Sequence, residues 1–131
     1  MATQDSLLAK IGALTIAAFE RGSARGLLYV EAIPCVMSAS VYEETNDRVL
    51  DRGVVGQMYD ALNELWYLAE PDKRWSALVF DVVDHAFDAQ FRYDEDKEYL
   101  LEKFEERREA LLLARFGDKP VIYPPPPDDA F

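Results

Sequence analysis

Few residues in this chain could do chemistry. His85 is its single histidine and Cys35 its single cysteine. A zinc site built on one imidazole, with no paired thiols, would need several carboxylates to complete it. Cys35 has no base or cation beside it in the sequence that would make it a thiolate nucleophile, and it sits in an apolar run as a small core residue would. Asp84 adjoins His85, but two neighbours in a turn are badly placed to orient one another as a carboxylate and a general base. The best-spaced carboxylates are Asp94, Asp96, Glu98 and Glu105, at positions one, three, five and twelve of a calcium loop. Position six of that loop must be glycine for its sharp turn, and here it is Tyr99. A helix start accounts for the same carboxylates without an ion, because acidic side chains complement the amino-terminal dipole and cap free amides. The glycines are scattered and form no phosphate-cradling loop. The expectation is a protein without catalytic residues, metal or cofactor, and so not an enzyme.

The elements that would position these residues read as one α+β domain. Asp5 or Ser6 can cap a first helix whose stripe is Leu7, Leu8, Ile11, Leu14, Ala18 and Phe19, with Gly12 admitting a close neighbour and Gly22 as the stop. Leu27 to Ile33 and Val36 to Tyr42 look like antiparallel strands joined at Pro34, and Val49-Leu50 like a brief third. A second helix is expected from about Val54 to Ala69 and ends at Pro71. Then comes a hairpin from Trp75 to Tyr93. Its first strand is apolar on both faces, as a strand covered by helices would be. Its second alternates strictly: Phe87, Ala89, Phe91 and Tyr93 point one way, and Asp88, Gln90 and Arg92 the other. The turn at Asp84-His85-Ala86 lacks the glycine that a tight primed turn prefers. A third helix runs from Asp94 to about Phe116, with its charged middle, Glu105 to Glu109, expected in solvent. Val121-Ile-Tyr123 can dock or pair, and Pro124 to Pro127 is extended. The expected order is α-β-β-(β)-α-β-β-α: three helices on a largely antiparallel sheet of four to five strands, with residues 1–123 as the domain and 124–131 as a proline-rich acidic tail.

Composition narrows the partners. The chain has 131 residues and a net charge of −11, with half of its residues hydrophobic, so it can build one core. A nucleic-acid binder needs a basic footprint to displace counterions, and an anionic membrane surface selects against an acidic chain. No segment approaches the apolar length needed to span a bilayer and the first residues do not form a signal peptide, so the cytoplasm is the expected compartment. An acidic surface suits a basic protein partner.

Several of these segments together resemble a known family. They are the Trp75-Ser-Ala-Leu-Val-Phe strand, a short acidic turn, and a Phe87-x-Ala-x-Phe-x-Tyr-Asp strand. A charged helix follows and closes on Arg107-Arg-Glu-Ala-Leu-Leu-Leu-Ala-Arg-Phe-Gly-Asp-Lys-Pro120 before Tyr123-Pro124. This is similar to the YezG-like immunity proteins of bacterial polymorphic toxin systems. The carboxy-terminal part of the chain carries the likeness; the first helix and hairpin match only in the order of elements. The family turn usually carries Asp-Gly where this chain has Asp84-His85-Ala86.

The resemblance implies an inhibitor that binds a cognate toxin domain, often a nuclease, made by the same cell. A nuclease holds phosphates and is basic, so an acidic inhibitor could cover it. The expected contact residues are Asp84, Asp88, Asp94, Glu95 and Asp96 at the hairpin end and helix start, with Glu43, Glu44, Asp47 and Asp51 in a central acidic loop as the alternative surface. The rival reading is a small adaptor, or a homodimer formed through an exposed strand or helix face, with no toxin partner.

Overall fold

A computed structural model describes residues 3–33, 36–54, 56–93 and 103–122. Pro34, Cys35, Asp94, Glu95, Asp96 and the proline-rich tail lie outside the described residues, and so do the other calcium-spaced positions Glu98 and Tyr99. The elements follow in the order α1 (Gln4–Ala17), β1 (Arg25–Ile33), β2 (Val36–Glu44), β3 (Val49–Gly53), α2 (Gly56–Leu68), β4 (Ala77–Val83), β5 (Ala86–Arg92), α3 (Phe104–Phe116) and β6 (Val121–Ile122). This is the expected α+β fold with one strand more than expected.

The first helix begins earlier than Asp5. Thr3 is its cap: the Thr3 hydroxyl accepts from the Ser6 amide at 3.1 Å, and the Ser6 hydroxyl accepts from the Thr3 amide at 2.9 Å. Serine here fills the reciprocal role usually given to glutamate, so the signal escapes a search for acidic residues. Leu7, Ile11 and Thr15 are buried along its inner face. Gly12 is buried too, and a Cβ there would lie 2.6 Å from the Phe87 ring, which is the close approach its position promised.

Among the described residues six strands form one sheet in the order β5-β4-β1-β2-β3-β6, antiparallel except where β6 joins β3 in parallel. β1 lies between β4 and β2, and Leu27 to Ala32 are all buried. That continuous burial requires cover on both faces. On one side Leu28, Val30, Leu78 and Phe80 pack with Ile11 of α1 and Leu62 of α2. On the other, Leu27, Tyr29 and Val79 pack with Leu111, Leu112 and Phe116 of α3. A single wet face therefore holds only for edge strand β5, where Asp88, Gln90 and Arg92 are exposed.

β6 was legible only as an apolar fragment able to pair. Two residues are too few to show an alternation. The Val49 amide donates to the Pro120 carbonyl at 2.9 Å, and β6 then covers the edge that β3 would otherwise expose.

The β4–β5 hairpin closes without glycine. Val83 pairs with Ala86, leaving a two-residue turn in which both Asp84 (φ 51°) and His85 (φ 67°) are left-handed. That is the backbone of a primed turn, matched to the twist of the strands. A residue with a Cβ strains there by about 1–2 kcal/mol, and glycine returns part of that as unfolded-state entropy. His85→Gly is therefore expected to raise stability by about 0.5–1 kcal/mol, read as a higher thermal midpoint. A lower midpoint would mean that the turn has another shape.

Candidate functional site

Carboxylates and cations are sorted between the inside and the outside of this fold. The α3 face of the sheet carries acidic groups, and α3 carries the cations that meet them. Glu31, in the middle of apolar β1, is 6% exposed. Arg107 reaches it with two nitrogens, Nε to Oε2 at 2.9 Å and Nη2 to Oε1 at 2.6 Å. The Tyr29 hydroxyl donates to the same carboxylate, and Phe104 stacks over the Tyr29 ring. Burial, then the hydrogen bond and negative charge of Glu31, push the Tyr29 phenol above its ordinary range. The Glu31 hydrogen bond likewise raises Arg107, so the guanidinium stays charged. Arg115 Nε bonds Asp81 at 2.9 Å, and Lys119 Nζ bonds Glu44 at 3.0 Å. The middle of α3 is thus not wholly in solvent. Arg107 and Arg108 are half-buried, and Arg108 lies over the Phe104 ring, while Glu105, Glu106 and Glu109 are exposed.

The central acidic residues do not form one loop. Glu43 and Glu44 end β2, and Asp51 lies in β3. Glu43 is fully buried. Its Oε2 accepts from the Arg21 and Ser23 amides and the Ser23 hydroxyl, and its Oε1 from Arg52 Nε at 3.0 Å. Burial would raise this carboxyl, but the bonds from Ser23, Arg52 and Arg21 together outweigh it and hold the group below the ordinary value. Glu43 fastens the α1–β1 connection to the sheet, which corrects its reading as a partner contact. Glu44 is held between Arg25 and Lys119 with little exposure. Asp51 is half-buried and accepts from the Gly53 amide at 2.8 Å; burial raises its carboxyl, partly offset by that bond and by Arg108. Of this group only Asp47 is well exposed, and it forms a surface pair with Arg48.

The other expected surface fares differently. Asp84 and Asp88 are exposed at the β4–β5 hairpin. Asp88 lies opposite Asp81, on the side of the sheet that α3 covers. Asp88 therefore shares one side of the molecule with the outward carboxylates of α3. Asp94, Glu95 and Asp96, between these two elements in the chain, are outside the described residues.

Arg107 and Glu31 are the paired residues that sequence reasoning passed over. Both carried a signal. Phe104, Arg107, Arg108, Leu111, Leu112, Arg115 and Phe116 follow one helical stripe, and Glu31 interrupts an otherwise apolar strand. Among the described residues no three His, Cys, Asp or Glu side chains gather where they could hold a metal ion. No described helix is long and apolar enough to cross a membrane. A scan against protein-family models finds no match, and a search of curated proteins finds none.

Proposed function

We propose that this chain is an immunity-type inhibitor, which binds a cognate toxin domain stoichiometrically and neutralises it through an acidic surface. One observation carries the reading. The inward carboxylates Glu31, Glu43, Glu44 and Asp81 are matched by Arg107, Arg52, Lys119 and Arg115, while Asp84, Asp88, Glu105, Glu106 and Glu109 face outward. The buried carboxylates are therefore neutralised in place, and those exposed at the hairpin and on α3 leave uncancelled acidic side chains at the surface. The likeness of the Trp75 to Tyr93 hairpin and the following helix to YezG-like immunity proteins supplies the kind of partner, and a basic phosphate-handling toxin fits the charge. Complementary fields speed encounter and select the partner, and nuclease–immunity pairs are among the tightest complexes known.

The test is co-expression in the cytoplasm with the product of the neighbouring gene. Growth rescue, together with a complex of fixed stoichiometry by light scattering, is the expected result. A toxic product that this chain neither binds nor neutralises would end the proposal. Within such a complex, the triple variant Glu105→Lys, Glu106→Lys and Glu109→Lys should keep the fold, because all three side chains are exposed. It should slow association by about tenfold or more at low salt. An unchanged association rate would remove this side of α3 from the contact.

A further inference from the structure

Among the described residues the sheet ends at β5, and no strand pairs with its outer side. Natural edges are blunted by shortness, lysine, proline or a bulge. At the opposite edge β6 is described over Val121–Ile122. β5 has seven residues, Ala-Phe-Asp-Ala-Gln-Phe-Arg, with no lysine or proline. A bond to the residue before β4 sets its backbone direction. The Arg92 carbonyl accepts from the Ser76 amide at 2.7 Å, so it points toward β4. Peptide groups alternate along an antiparallel strand. Ala86, Asp88, Gln90 and Arg92 therefore bond β4, and the amides and carbonyls of Phe87, Ala89 and Phe91 point away from the sheet.

We propose that β5 pairs antiparallel with β5 of a second copy, about a two-fold axis through Gln90, to give a homodimer with one continuous sheet. Charge selects this register. With Gln90 opposite Gln90, Asp88 faces Arg92 of the second copy and Arg92 faces its Asp88. Ala89 and Phe91, whose amides point outward, face each other and exchange the backbone bonds. The two charged pairs then occupy the positions without mutual backbone bonds, where side chains come closest. A shift of the axis to Ala89 sets Asp88 against Gln90, and a shift to Asp88 sets that carboxylate against its own copy. The chosen register also brings Phe87, 44% exposed, beside Tyr93, 63% exposed, on the other face. An edge of this size gives a weak, concentration-dependent dimer. The free chain would pair in this way whether or not it inhibits a toxin.

Sedimentation of the purified chain, from micromolar to about 1 mM, tests it. A rise to twice the monomer mass is expected, with the Ala89 and Phe91 amides gaining protection from exchange as the dimer fills. Asp88→Arg alone and Arg92→Asp alone should each weaken the dimer by about tenfold, since each puts two like-charged pairs across the axis. An equimolar mixture of the two variants should form a heterodimer at wild-type concentrations, because both pairs are then opposite in sign. Circular dichroism checks that each variant is folded. A monomer at every concentration would overturn the proposal. So would a dimer that both single variants leave intact and that shows no preference for the mixture.

Discussion

Arg107→Ala is expected to lower stability by about 3 kcal/mol, and the thermal midpoint by about 10 °C. The reason is what the substitution leaves behind. Glu31 is 6% exposed and sits among apolar side chains of β1, and its carboxylate is held by both Arg107 bonds and by Tyr29. Without the guanidinium the charge remains buried with one phenol beside it. An intact buried pair adds little net stability, because removing both ions from water opposes their attraction. The same physics makes a second prediction inside the first: Glu31→Gln combined with Arg107→Ala should recover more than half of the loss. Chemical denaturation of the single and double variants measures this. A single variant within about 0.5 kcal/mol of the parent would show that solvent, not Arg107, satisfies Glu31.

Gly26→Ala is expected to be as damaging although it adds only a methyl group. Gly26 is buried in β1, where a Cβ would fall well inside contact distance of the Phe19 ring and of the Tyr42 carbonyl oxygen. The ring can turn. The carbonyl belongs to β2, which is paired with β1 along its length, and it can move only by opening that ladder. Overpacking of a rigid site costs about 1–3 kcal/mol, and this one falls at the upper end. Equilibrium unfolding in urea should show a lower midpoint with an unchanged slope. Phe19→Leu added to Gly26→Ala separates the two neighbours: full recovery would assign the clash to the ring, and little recovery is expected.

These two sites show what the sequence conveys and what it withholds. The stripes of α1 and α2 and the alternation of β5 were legible because each repeats its period several times. Cover on both sides of the sheet was already suggested by the doubly apolar β4, and the apolar end of α3 (Leu111, Leu112, Phe116) was legible as a packing stripe, but the inward turn of its charged middle was not. A run such as Glu105-Glu-Arg-Arg-Glu reads as wet because charge normally is. Whether Arg107 turns inward depends on Glu31, distant in sequence, and no local pattern joins the two. Glu43 misled for the same reason. Its four hydrogen bonds come from the α1–β1 connection and from β3, so a residue that looked like part of an acidic loop is an interior anchor. The turn at Asp84-His85 kept a primed backbone without the residue that usually announces it, because the β4–β5 register leaves room for no other.

The strand order also ranks the loops that must close to complete the sheet. β1 and β2 are consecutive and form the middle of the sheet, joined by a short connection, and β3 follows directly on β2. These contacts close small loops and can form as soon as the first half of the chain has left the ribosome. Every later strand is added at a rim: β4 then β5 on the β1 side, and β6 on the β3 side after α3 has crossed the sheet. The join of Val49 to Pro120 closes one of the longest loops in the fold, so it comes late and at a greater entropic cost. During synthesis β3 therefore waits with an open rim until β6 emerges. A ribosome that stalls before Val121 leaves a nascent chain with a bare strand at each rim.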